Sequence, residues 1–191
     1  IQVSIDGSVE ATHDAFRGKG NFYRAVSGLK SLMKHNLPAT VRVTIHRKNV
    51  RDLEAVSQLL LEEIGLPGFS TNAASHLGLC RQNARQVQLT AEERALAMGT
   101  LLRLNDKYNG RISAQAGPLA EARGWLEMEA ARKNGVERLP NRGFLTGCGG
   151  FLTKMAIRAD GVMVPCGLIP GMELGKINKD DLKDVWQNHP E

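Results

Sequence analysis

The first seventy-three residues alternate between strand and helix signals, and that alternation narrows the fold more than any other feature. Ile1–Asp6 (IQVSID) is a short strand, rich in β-branched residues and closed by Asp6-Gly7. Asn21–Asn36 follows as an amphipathic helix, with Phe22, Val26, Leu29, Leu32 and Met33 at helical spacing and Asn21 placed to cap it. Pro38–His46 is a second strand in which Val41, Val43 and Ile45 alternate with Arg42 and Thr44. The next helix, Asn49–Gly68, turns Val56, Leu59, Leu60 and Ile64 inward, has Asn49 as its cap and stops at Gly65. Gly68–Ala73 is a third strand. Strand–helix–strand–helix–strand at this spacing calls for parallel pairing through right-handed crossovers, so the fold class is α/β.

Residues 75–140 are mostly helical. A polar connection from Ser75 to Val87 leads to Thr90, which with Glu93 forms a capping-box pattern ahead of Leu96, Leu101, Leu102 and Leu104. Arg111–Gly117 (RISAQAG) reads as one more strand, and Leu119–Lys133 as an Ala-rich helix. Gly- and Pro-containing Asn134–Gly143 marks a boundary. Net charge is 25 − 20 = +5, with the basic residues scattered and few aromatics between them, so a nucleic-acid interface is not expected. No apolar run reaches the length of a membrane span. Three cysteines are too few and too odd for a disulfide framework and suit a reducing cytoplasm.

Two of those cysteines bracket a hairpin. In Thr146–Gly167 (TGCGGFLTKMAIRADGVMVPCG), Asp160-Gly161 is a turn signal. A two-residue turn there pairs Ala159 with Val162, Ile157 with Val164 and Met155 with Cys166, placing all six on one apolar face. Cys166 then stands at the open end of the hairpin, where Cys148 arrives among Gly147, Gly149 and Gly150. Spacing alone leaves three readings open: a pair of buried inert thiols, half of a zinc site, or half of an iron–sulfur site. Cys80, far off in sequence, reads as a bystander.

Cys148, twelve residues, Gly161, four residues, Cys166 resembles the opening of the SPASM domain of radical S-adenosylmethionine enzymes. Glu173–Pro190 (ELGKINKDDLKDVWQNHP) is similar to that domain's next landmark, a Gly-x-Ile element and a short helix carrying Val-Trp. Val3–Leu32, with its Ser-x-Asp-Gly…His-Asp…Arg-Gly…Phe pattern, resembles the fourth strand and following helix of the family's partial (β/α)6 barrel. Val43–Asn49 and Gly68–Ala73 look like the fifth and sixth strands.

The resemblance implies three segments: residues 1–74 as the latter half of the barrel, 75–140 as a helical connection, and 141–191 as the start of an auxiliary iron–sulfur domain with a small hairpin and helix. It implies a fragment of a cytoplasmic oxidoreductase that modifies a peptide or assembles a metallo-cofactor. S-adenosylmethionine and iron–sulfur clusters would serve the whole protein, with none expected in this piece. The family's Cys-x3-Cys-x2-Cys motif is not found in the sequence, so the chain alone is expected not to catalyse. Ser4 matches a position that contacts the ribose or amino-acid part of S-adenosylmethionine; Asp6 stands beside it, as a ligand or as turn chemistry. Cys148 and Cys166 resemble auxiliary-cluster ligands, and His13 and Arg17 lie in the loop after the first strand, open to substrate or to solvent.

The partner implied is a peptide or small-molecule precursor. An open barrel edge and inner face lead us to expect a homodimer, a rearrangement, or a cover supplied by residues 75–140. Two rivals remain at this stage: a non-catalytic module with a zinc or structural cysteine pair, and a basic RNA-contacting domain.

Overall fold

A computed structural model of the chain describes residues 1–75, 79–135, 154–167 and 169–190. The backbone divides into two units, Ile1–Leu139 and Pro140–Glu191. In the first, strands β1 (Gln2–Ser4), β2 (Thr40–Ile45), β3 (Phe69–Ala73) and β4 (Ile112–Ala114) form one all-parallel sheet in that order. Parallel neighbours need crossovers, and helices supply them. They are α1 (Glu10–Arg17) and α2 (Asn21–Lys34) after β1, and α3 (Leu53–Gln58) after β2. The connection between β3 and β4 carries α4 (Leu79–Gln82), α5 (Ala84–Val87) and α6 (Ala91–Lys107), and α7 (Pro118–Lys133) follows β4.

Local chemistry sets most of these bounds. Thr90 and Glu93 close the expected capping box at α6: the Glu93 N–H donates to Thr90 Oγ1 at 3.2 Å and the Thr90 N–H to the Glu93 carboxylate at 2.9 Å. Asn21 does not cap α2. Its side chain donates to the Arg17 carbonyl, and the Asp14 carboxylate instead accepts the N–H groups of Gly20 and Phe22. Beyond Gln58, α3 runs into a π turn, Leu59–Glu63, which rotates the apolar stripe. Leu60 and Leu61 are therefore the buried pair, and Leu59 and Ile64 are only half-buried.

The core lies on one face of the sheet. Ile5, Val41, Val43, Ile45 and Ile112 pack there against Leu29, Leu60, Leu101, Leu104 and Leu119 of the helices, all without exposed surface or nearly so. Each such side chain contributes about 1.5–3 kcal/mol against the entropy of ordering it. Parallel sheets are normally buried on both faces, yet burial along β2 alternates residue by residue. The other face is polar: the register sets Ser4 beside Arg42, Arg42 beside Ser70 and Ser70 beside Ser113, with Thr44 beside Asn72 in the next row. Helices α6 and α7 join the same helical layer and leave that row open; Arg42 and Ser113 are exposed.

In the second unit, β5 (Ala156–Ile157), β6 (Val162–Val164) and β7 (Gly175–Lys176) form an antiparallel sheet, followed by α8 (Leu182–Asn188). The expected hairpin register is wrong by one residue. Ala156 pairs with Val164 and Ile157 with Met163, because the loop holds three residues, not two. Gly161 takes a left-handed φ of +85° and donates its N–H to Arg158, while the Arg158 N–H reaches the Val162 carbonyl at 2.8 Å. That is a type I turn followed by a glycine bulge. Met163 and Val164 are consequently buried and Ile157 is exposed. On α8 only Val185 is buried; Leu182 and Trp186 flank an open groove of about 610 Å³ with Met155 and Ile157. No helix among the described residues is long and apolar enough to cross a membrane.

Candidate functional site

The chemistry of the first unit gathers where β1 and β2 end. Asp6, two residues beyond β1, has no exposed surface. Its Oδ1 accepts the Thr44 N–H at 2.7 Å and its Oδ2 accepts Nε of Arg17 at 2.5 Å. The Asp6 N–H donates to Nδ1 of His13 at 3.0 Å, and its carbonyl accepts Nδ2 of Asn49 at 2.8 Å. Arg17 also donates to Thr44 Oγ1 at 3.2 Å. A buried carboxylate is tolerable only when paired and fully hydrogen-bonded, and here both oxygens are.

His13 and Arg17 thus converge on Asp6 from a helix, not from a loop as expected. The backbone approach that allows this is close: a Cβ on Gly7 would lie 2.4 Å from the His13 nitrogen and 2.8 Å from Thr12 Cβ. Glycine is required there to let α1 settle against the strand end. Asn49 is not a helix cap either. It is buried, accepts the His46 N–H at 2.8 Å and donates to the carbonyls of Asp6 and Thr44, joining the two strand ends. The residue before α3 is Asp52, whose carboxylate takes the N–H and hydroxyl of Ser8.

Ser4 lies half-buried on the polar face, in the row with Arg42, Ser70 and Ser113. Arg42 makes no ion pair among the described residues and reaches Ser70 Oγ only at 3.4 Å. The sheet therefore offers a floor of hydroxyls around one uncommitted guanidinium, walled at the strand C-termini by the Asp6–Arg17 pair. Ligands of parallel α/β sheets bind at such carboxyl ends.

Sequence reasoning missed His46, which follows β2 directly. It is fully buried, its ring stacks on Phe16 with centroids 4.1 Å apart, and Nδ1 accepts the Lys48 N–H at 3.2 Å. Burial pulls its pKa down to about 4, against the opposing pull of Asp6. His13 is also shifted down, again chiefly by burial. The readable signal for His46 was its place two residues after Thr44, on the same side of the pleat.

In the second unit Cys166 is half-buried two residues past the end of β6, and its carbonyl accepts the Ile169 N–H. Cys148 lies outside the described residues. Among those described, no group of three or more His, Cys, Asp or Glu side chains is placed to hold a metal. A half-buried thiol at a strand end suits one position of an iron–sulfur ligand set, which needs further ligands besides.

A half-open parallel α/β sheet followed by a small antiparallel cysteine-bearing unit defines the class, and comparison with known proteins agrees with it. Residues 148–191 match the SPASM family, described as an iron–sulfur cluster-binding domain. Together the matches liken the chain to radical S-adenosylmethionine/SPASM proteins. It is 25% identical to the AdoMet-dependent heme synthase of Methanosarcina barkeri, across 98% of this chain and 53% of that protein. It is 25% identical to the sporulation killing factor maturation protein SkfB of Bacillus subtilis, across 97% of this chain and 40% of that protein. A shorter match, 42% identical over 33% of this chain and 16% of the relative, is to the Fe-coproporphyrin III synthase of M. barkeri. The crystal structure of Streptococcus suis SuiB shares the fold, with a TM-score of 0.63 at 15% identity, over 99% of this chain and 43% of that one. The chain spans about half the length of the curated relatives it matches across its whole length.

Proposed function

We propose that this chain supplies the later strands of a catalytic half-barrel and the opening of an auxiliary-cluster domain in a cytoplasmic oxidoreductase acting on a peptide or a metallo-cofactor precursor. The observation that carries the reading is the polar row Ser4–Arg42–Ser70–Ser113, lying beneath strand ends tied together by Asp6, Arg17 and Asn49. A parallel sheet ordinarily buries both faces, and this one keeps its second face polar and open.

In this reading Ser4 donates to or accepts from the ribose or amino-acid portion of S-adenosylmethionine, and Arg42 attracts a carboxylate. Asp6 acts by fixing Arg17 and the end of β2. Cys148 and Cys166 are thiolate ligands of an auxiliary cluster, supported by a family match that begins at Cys148 itself. Bound S-adenosylmethionine would supply radical chemistry when reduced by one electron from an iron–sulfur cluster, whose Cys-x3-Cys-x2-Cys ligands are not in this sequence. This chain's residues position that ligand.

The test is direct binding of S-adenosylhomocysteine, a stable analogue, by calorimetry on the intact protein. Ser4→Ala is expected to weaken binding about tenfold, the worth of one hydrogen bond. Undetectable binding by the unaltered protein, or equal binding by S4A, would overturn the assignment.

A further inference from the structure

His46 carries a hydrogen-bond donor that the described fold does not use. Because Nδ1 accepts the Lys48 N–H, the ring proton of the neutral imidazole resides on Nε2. Nε2 has no accessible surface and no partner among the described residues. Buried donors without partners are rare in folded proteins, since each forfeits its bonds to water and regains nothing.

The surroundings show that the ring's position is not accidental. Phe16 stacks on its face, Lys48 anchors one edge, and the Asn49 carboxamide fixes the backbone through the His46 N–H. Three interactions hold the ring in place, and none of them uses Nε2. A phenylalanine would keep the stack and the burial but lose the acceptor of the Lys48 N–H; that contact accounts for Nδ1 and leaves Nε2 without a role in the fold.

We propose that His46 is a specificity-determining residue, whose Nε2–H donates a hydrogen bond to an uncharged acceptor atom of the nucleoside bound at the carboxyl ends of β1 and β2. Nε2 is enclosed in this structure, so the contact requires Phe16, half-buried at the end of α1 beside Arg17, to move off the ring. The Asp6–Arg17 pair on the same helix links that movement to the strand ends. A neutral donor suits a ligand that carries a sulfonium charge, because an imidazolium there would be repelled. The inference rests on the nucleoside-binding reading above and adds to it a residue that touches the ligand.

Binding of S-adenosylhomocysteine to the intact protein and to two variants tests it. His46→Phe keeps the stack and removes both the Nε2 donor and the Nδ1 acceptor of the Lys48 N–H; His46→Gln places an amide N–H near the Nε2 position. The expected result is a loss of about tenfold in affinity for H46F with most of it recovered in H46Q. The thermal unfolding midpoint of H46F without ligand is expected to stay close to that of the unaltered protein, because loss of the orphaned donor is offset by loss of the Lys48 acceptor. Equal affinities in all three proteins would overturn the proposal, as would a loss that H46Q does not recover, which marks a packing role. If the unaltered protein binds no nucleoside, both readings fail; if it binds and H46F binds equally, only this one does.

Discussion

Arg17 lies across the end of the first strand with its Nε 2.5 Å from a carboxylate oxygen of Asp6, a side chain with no exposed surface, while Arg17 itself remains one-third exposed. The pair joins a helix to a strand end and fixes both at the mouth of the polar face. Removing Arg17 leaves a buried charge with one partner missing. Arg17→Met is therefore expected to cost about 2–4 kcal/mol in urea unfolding, the lower end reflecting water's access to the arginine. Asp6→Asn keeps the shape but sets an amide N–H against either the Thr44 N–H or the Arg17 Nε–H, and is expected to cost a similar amount. Equal stability of R17M and the unaltered protein would show that the pair is incidental.

Acid sensitivity follows from the two buried histidines. Folding holds His46 near pKa 4 against an ordinary 6.5, and lowers His13 as well. A depressed histidine binds its proton more readily in the unfolded chain, so stability is complete above pH 6.5 and falls as pH drops toward 4. The His46 contribution alone has a slope of about 1.4 kcal/mol per pH unit within that window. Urea midpoints measured between pH 7.5 and 4.5 check this, and H46F is expected to flatten the profile; an identical profile for H46F would contradict the assignment.

Gly7 admits no side chain without movement. An alanine there would place its Cβ 2.4 Å from the backbone nitrogen of His13. Gly7→Ala is expected to cost about 3 kcal/mol or more and to pull α1 off the strand end. Faster amide exchange at Asp6, whose N–H donates to His13, should accompany the loss. Retained protection at Asp6 in G7A would exclude that mechanism.

The turn of the hairpin offers a milder test. Gly161 sits at φ +85°, and an added Cβ would lie 3.1 Å from Ile177 Cγ2. Gly161→Ala should cost roughly 1–2 kcal/mol, from left-handed strain with some crowding added. Calorimetric unfolding of the intact protein reads that loss, and an unchanged midpoint would argue against the bulged turn.

Metal content tests the thiols. After anaerobic reconstitution of the intact protein, Cys166→Ser is expected to lower bound iron and sulfide by the content of one cluster, with Cys148→Ser matching it. Zinc in place of iron, with no acid-labile sulfide, would instead support the structural-zinc alternative.

The strands were readable because Val41, Val43 and Ile45 alternate so cleanly, and the pairing was parallel because helical periodicity fills the gaps between them. The hairpin register was not, because Asp160-Gly161 serves a two-residue turn and a three-residue bulge equally well. Helix α1 was obscured by Thr12, His13 and Asp14, weak helix formers; His13 accepts the Asp6 N–H and Asp14 the N–H groups of Gly20 and Phe22. His46 and Asn49 escaped for a related reason. Their roles exist only once β1 and β2 lie side by side, about forty residues apart in the chain, and no local pattern records that.

The one-sided burial of the sheet also bears on how such a chain changes over time. Packing occupies one set of alternating strand positions, and Ser4, Arg42, Ser70 and Ser113 occupy the other. Replacements in that second set leave the hydrophobic layer intact, so under the proposed function ligand preference can drift without a penalty in foldability. A library randomised at those four positions should yield mostly folded proteins that differ in what they hold.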